Sequence, residues 1–371
     1  MTLEETLQKI HPLDEKAMEI SRKRWDSIAK PLHSLGKMED IIVQIAGITG
    51  SPDMNLSKRA LVAMCADNGV VEEGVTQTGQ EVTAIVADNG VVEEGVTQTG
   101  QEVTAIVAEN FLTGDTSACT MCRQCGTDVY PVDVGMAVDT KVPTDLKVAM
   151  GTRNMVKEPA MTREEAVRGI EAGIEMVSRL KARGYGLIAT GEMGIGNTTT
   201  SSAVAAVLLN RPVEEMTGRG AGLSSEGLNR KITAIGKAIE KHQPDPEDPI
   251  DVLAKVGGLD IAGMTGVFLG GAALGVPIVI DGFISCVSAL IAQRICPVAG
   301  DYMIASHVSK EPAARLILTS LGKEAVLHGD MCLGEGSGAV ALFPFIDMGV
   351  AVYQSMSTFD EIHVEQYEEL V

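Results

Sequence analysis

Thr190-Gly191-Glu192-Met193-Gly194-Ile195-Gly196-Asn197-Thr198-Thr199-Thr200 joins two apolar runs of different character. Before it, Tyr185 to Ala189 read as a short buried strand; after it, Ser201 to Leu209 read as an Ala-rich helix. A strand, a glycine turn and a helix start present backbone N–H groups to an anion. Gly194 and Gly196 allow a phosphate to approach the main chain, and the threonines add hydroxyls at the helix start. The stretch lacks the Lys of a P-loop, and its glycine spacing departs from the dinucleotide fingerprint. Glu192 is the unexpected residue. A pure phosphate cradle avoids a carboxylate, so Glu192 points to chemistry beside binding.

Composition agrees with a sheet of this kind. Of the 371 residues, 45% are hydrophobic but only 3% are aromatic, so Ala, Val, Ile, Leu and Met must build the core, as in helix-covered parallel sheets. The net charge of −20 contains no basic run, which argues against nucleic-acid binding. Met1 to Arg22 carry no signal-peptide pattern. The most apolar stretch, Val267 to Ala292, is broken by Pro277, Asp281 and glycines and reads as core, not as a membrane span. Seven cysteines without an extracellular signal fit a reducing cytoplasm. Cys119, Cys122 and Cys125 have a metal-like spacing but no nearby fourth partner, and read as small residues along a helix. No metal and no cofactor is expected.

Outward from the central turn, strands alternate with helices. Arg59 to Cys65, Asp128 to Val134, Val276 to Ile280 and Tyr302 to Ala305 read as further strands. Several end beside a polar residue: Asp67, Asp133, Asp281 and Ser306 join Glu192. In an open parallel sheet these converge on one edge, where ligands bind. Two more glycine-rich turns, Thr217 to Gly222 and Leu333 to Ala339, bring Gly220 and Glu335; Lys231 follows on a helix. His307, at a turn after the last strand, reads as structural. Thr162 to Glu165 form a capping box.

One feature is unusual. Residues 66–86, ADNGVVEEGVTQTGQEVTAIV, recur unchanged as residues 87–107. The first copy continues a strand, and the second runs into a helix through Gln101 and Phe111. The first copy is therefore expected to supply the strand end and the second the helix, with the surplus looped out. Long surface insertions add little loop entropy.

With these motifs assembled, the chain resembles the nicotinate-nucleotide:dimethylbenzimidazole phosphoribosyltransferase family. The resemblance runs in family order from about Lys30 to Phe359. It is carried by KPLHSLGKME, QEVT, GEMGIGNTT, GRGAGL with GLNRK, GGLDIAGMTG, PIVIDGFIS, ASHVS and LGEGSGA. It implies a Rossmann-like parallel sheet flanked by helices, with a small helical domain built from both chain termini. The corresponding division is 1–47, 48–340 and 341–371. It implies a homodimer acting on two small molecules, nicotinate mononucleotide and a benzimidazole-type base. By resemblance, Glu335 is the general base and Glu192 a second active-site carboxylate. Gly194, Ile195, Gly196 and Asn197 hold the nucleotide phosphate, and Gly220, Lys231 and Ser309 are further nucleotide positions. Gln101 or Gln80, the Gln of QEVT, belongs to the base pocket. The chain departs from the family at Leu32-His33, where Pro-Gly is usual, and at Gly79 and Gly100, where Pro precedes the Gln. Two other readings compete. A dinucleotide-dependent oxidoreductase lacks its fingerprint here. An inactive or ligand-binding relative would follow if the repeat spoils the base pocket.

Overall fold

β1 (Arg59–Ala66) is buried along its whole length, and its side chains alternate between two cores. Ala60, Val62 and Met64 point into one, Leu61 and Ala63 into the other, as the two-residue period of a strand requires. This is the arrangement of a sheet covered on both faces. A computed structural model describes residues 1–76 and 100–367. β2 (Thr127–Gly135), β3 (Leu187–Met193), β4 (Ile278–Ile280) and β5 (Met303–Ala305) complete a parallel sheet of order β2-β1-β3-β4-β5.

The described helices are α1 (Leu3–Leu7), α2 (Glu15–Ser27), α3 (Lys37–Thr49), α4 (Gly100–Thr113), α5 (Ser117–Gln124), α6 (Arg163–Ala182) and α7 (Asn197–Leu208). They continue with α8 (Val213–Met216), α9 (Ser225–His242), α10 (Pro249–Val256), α11 (Leu259–Leu274), α12 (Phe283–Ile295), α13 (Ala314–Ser320) and α14 (Ser337–Ser355). One face of the sheet is covered by α6, α11 and α12; α11 is apolar all round and buried throughout all but its last turn. The other face is covered by material from both ends of the chain. Trp25 of α2, Ile42 and Ile45 of α3, and Phe343 and Ile346 of α14 share a core with Leu61, Leu187 and Val279. Trp25 and Tyr353 pack with ring centroids 5.3 Å apart and planes tilted by 58°, tying α2 to α14.

The apolar stretch Val267 to Ala292 divides into the end of α11, β4 and most of α12, and neither helix is long enough to cross a membrane. Among the described residues α14 is long and apolar enough, but half of it is buried in this core and it contains Pro344. The capping box at Thr162 forms with both of its hydrogen bonds, and α6 runs from it as expected. Cys119 and Cys122 are buried small residues of α5, and Cys125 is its C-cap.

At the central turn the structure corrects the expected boundaries. The strand begins two residues later than Tyr185 and continues through Thr190, Gly191 and Glu192 to Met193. α7 begins at Asn197, four residues before Ser201. Gly191 lies inside the strand because a Cβ there would come within 2.7 Å of the Glu335 carbonyl oxygen. A glycine read as a turn marker is in fact a site of close backbone approach.

The repeat is divided between β1 and α4, but the first copy supplies more than the expected strand end, because Val70 and Val75 are buried in the core. The first copy supplies the end of β1, Asp67, Asn68 and a 3-10 turn at Gly69–Glu73; the second supplies the first turns of α4. The material expected to loop out, with Gln80, lies outside the described residues.

Candidate active site

The strand order places a crevice. The chain leaves β1 for β2 on one side and returns to β3 on the other, so the carboxyl ends of β1 and β3 part at a topological switch point. A cavity of about 250 Å³ opens on the β3 side of that point, over the carboxyl ends of β3, β4 and β5. Glu192, Gly194, Ile195, Asn197, Gly220, Ser309 and Glu335 all line it. Gly196 and Lys231 stand directly behind, beside Asn197 and Thr198. Gln101 lies in the first turn of α4.

Glu192 is the last polar residue of β3 and is 8% exposed. The Asn197 side-chain amide donates to its Oε2 and also to Asp260 Oδ2, at 3.0 Å from the latter. One amide thus bridges two buried carboxylates. Burial, reinforced by the neighbouring Asp260, pushes Glu192 up to about 8; burial pushes Asp260 up to about 7. At neutral pH this group holds protons that exposed carboxyls would release. Glu192 can therefore donate a hydrogen bond as well as accept one.

Glu335 sits in the other glycine-rich turn, and its setting differs. Its φ of 62° is left-handed, unusual for a residue with a side chain, and it lies between Gly334 (φ 89°) and Gly336 (φ 85°). Three consecutive left-handed residues make a sharp turn into α14. Asp281 holds it: its carboxylate accepts from Gly336 N–H at 3.2 Å and Ala339 N–H at 3.0 Å. Glu335 N–H donates to Glu192 Oε1 at 3.4 Å, and Glu335 Oε2 accepts from Ala118 N–H at 3.2 Å. The two carboxylates are thus linked through backbone, and the Glu335 side chain remains half-buried at the cavity wall. Strain of this kind persists where the surroundings over-determine it.

The candidate anion cradle comes from three segments. Gly196, with φ 92°, is the N-cap of α7, and Asn197 and Thr198 carry that helix start to the cavity. Ile195 N–H donates to Thr104 Oγ1 at 3.2 Å, so α4, which begins in the second copy of the repeat, braces the turn. Lys231, fully buried in α9, donates to Thr198 Oγ1 at 2.9 Å and Gly218 O at 3.1 Å. Burial pushes its pKa down to about 8, partly opposed by Glu311.

The structure adds residues that the sequence reading did not place in the site. Asp260 and Thr104 reach it from helices, and Glu311 lines it two residues after Ser309. Asp281 was visible as a strand-end acid, but not its grip on the Glu335 turn. His307 lines the cavity as well as bonding Ser306 Oγ at 3.0 Å through Nδ1. Burial holds its pKa below the usual value against the pull of Asp281. Among the described residues no group of three metal-ligating side chains occurs.

Comparison with known proteins bears on this geometry. A phosphoribosyltransferase family model matches residues 10–87 and 84–364, the two stretches meeting where the two copies of the repeat join. The nicotinate-nucleotide–dimethylbenzimidazole phosphoribosyltransferase of Ruminiclostridium cellulolyticum is 46% identical over 372 residues, covering 100% of each chain. That of Acetivibrio thermocellus is 45% identical over 366 residues, 98% of each chain. The crystal structure of CobT from Thermus thermophilus superimposes with a TM-score of 0.83 at 35% identity, covering 95% of this chain and 100% of that one. With relatives this similar from end to end and a family model matched over most of its length, the chain belongs to the nicotinate-nucleotide–dimethylbenzimidazole phosphoribosyltransferase family.

Proposed function

We propose that the protein moves the 5-phosphoribosyl group of nicotinate mononucleotide to 5,6-dimethylbenzimidazole or a related base, releasing nicotinate and α-ribazole 5′-phosphate for cobalamin nucleotide-loop assembly. The observation that carries this reading is the pair of carboxylates, Glu192 and Glu335, facing one cavity beside a helix-start anion cradle. The phosphate sits against Gly194 to Asn197, with Gly220, Ser309 and the Lys231 ammonium completing its site. A ring nitrogen of the base attacks C1′, and the glycosidic bond to nicotinate breaks through an oxocarbenium-like state. The pyridine nitrogen takes the bonding pair and leaves neutral, so no acid is needed. The attacking base must lose its ring proton, which Glu335 accepts as general base. Glu192, protonated in its buried setting, hydrogen-bonds the reacting groups and keeps Glu335 in register. Positioning of two bound reactants supplies much of the rate.

Gln101 is the candidate for the base pocket, with Val107 of the same helix on the cavity wall. Seven free thiols support a reducing, cytoplasmic setting, and the family resemblance supports a homodimer. The direct test measures nicotinate released from nicotinate mononucleotide with and without dimethylbenzimidazole, with size exclusion for the assembly. Base-dependent release is expected, and its absence with every benzimidazole tried would remove this reading.

A further inference from the structure

An anion of the protein already holds part of the proposed phosphate site. Gly220 N–H donates to Glu311 Oε1 at 3.0 Å. The other oxygen, Oε2, is buried and has no hydrogen-bond partner among the described residues. A Cβ on Gly218 would lie 1.8 Å from that oxygen, so a glycine there is what lets the carboxylate lie under the turn. Across the same turn the Lys231 ammonium is bonded, among the described residues, to the uncharged oxygens of Thr198 and Gly218, although the Glu311 charge reaches it. Thr198, Gly220, Ser309 and Glu311 all face the one cavity. A carboxylate with one spare oxygen and an ammonium with neutral partners thus flank the turn without pairing. Buried polar atoms are rarely left unpaired without a reason.

We propose that Glu311 competes with the nucleotide phosphate for the Gly220 N–H and must swing off it when the phosphate seats beside Lys231, so that this carboxylate sets how loosely nucleotide and product are held. The inference rests on the reading that the phosphate binds at Gly220 and Lys231. Two anions sharing one donor a few ångströms apart repel, and a poorly hydrated site screens that repulsion weakly. The phosphate carries more charge and more acceptors than the carboxylate, so it wins the donor, but with reduced affinity. The side chain can leave without moving the backbone, because Glu311 N–H is bonded separately, to Ser309 Oγ at 3.4 Å. A phosphorylated product meets the same competition, which speeds its release. Glu311 is thus a positioning residue that touches the donor of the phosphate, not the reacting carbon.

The test is calorimetric binding of inorganic phosphate and of nicotinate mononucleotide to the full chain, its Glu311→Gln and Glu311→Ala variants, and Lys231→Ala. Glu311→Gln keeps size and polarity while removing charge; Glu311→Ala also frees the donor. Both are expected to bind phosphate and nucleotide about tenfold more tightly, which corresponds to ~1.4 kcal/mol. KM for the nucleotide should fall by a similar factor, with kcat unchanged or lower, a split that mere loosening of the fold would not give. Unchanged or weaker phosphate binding in both variants, with Lys231→Ala still abolishing it, overturns the role of Glu311 but leaves the phosphate site standing. Phosphate binding that ignores Lys231 overturns the site reading itself, and this inference with it.

Discussion

The β3–α7 turn and the turn before α14 are built alike but hold their carboxyls in different surroundings. Each carries a carboxylate toward the same cavity, and each enters its helix through a left-handed glycine, Gly196 in one and Gly336 in the other. The Glu192 carboxylate stands on a strand, is buried, shares an amide with Asp260 and is pushed up to about 8. Glu335 stands on a left-handed backbone, half-buried, with its turn pinned by Asp281. The same functional group is buried beside another carboxyl in one place and half-buried at the cavity wall in the other. What differs is burial and the neighbouring charge, not the residue.

The largest expected effect comes from removing the acceptor. Glu335→Gln should lower kcat by roughly 10²- to 10⁴-fold, while nucleotide binding measured by calorimetry stays within about threefold. Equal losses in both would merge the two carboxylates into one binding role. Asp281→Ala comes next. It leaves the Gly336 and Ala339 N–H groups without their acceptor, and should cost about 2–4 kcal/mol of stability in denaturant melts. Turnover should fall roughly tenfold or more as the Glu335 turn loosens. A variant that melts early yet turns over normally would show that the turn does not need its pin.

Glu192→Gln should be milder, about tenfold or less in kcat near neutral pH, because the native group is already protonated there. The sign of its effect on stability follows from linkage. The folded-state pKa, about 8, lies above the unfolded value, so the stability this group contributes at low pH is lost progressively up to about pH 8. The variant lacks that loss. Its melting temperature relative to the parent should therefore rise across that window and level off above it. A constant difference would mean that Glu192 is ionised in the native state. If Lys231 holds the nucleotide phosphate as proposed, affinity should fall as pH passes about 8, where Lys231 loses its charge, and Lys231→Met should remove that dependence. The smallest effect concerns the repeat. Removing either copy leaves the same chain, since the copies are identical. Nucleotide KM should then stay within about twofold, because the β3–α7 turn is unaltered. Any larger change should appear in the KM for the base.

Much of this site was legible because glycines and carboxylates coincide at strand ends. Glu192, Asn197, Gly220 and Glu335 reach one cavity, as their places beside glycine turns implied, and Ser309, a candidate only through the family resemblance, joins them. What stayed hidden was made by tertiary contact. Asp260 meets Asn197 from a helix start 63 residues away, and Asp281 meets Gly336 across 55. No local pattern marks either bond. The misplaced end of β3 has the same origin. Gly191 and Glu192 read as a turn by composition, yet the approach of the Glu335 backbone requires a glycine within a strand. The capping box of α6 needed no such help, since both of its partners lie within four residues.

The division of the repeat between β1 and α4 also has a kinetic meaning. β1 finds its parallel partner β2 only after the crossover closes, and the repeat lengthens that crossover by one copy. Loop closure grows only with the logarithm of length, so the added residues raise the closure free energy by ~0.4 kcal/mol. Folding should slow by less than about twofold on this account. A chain can therefore carry a second copy of a segment beside its own active site with almost no delay in reaching the native sheet, provided both joints fall within a single crossover.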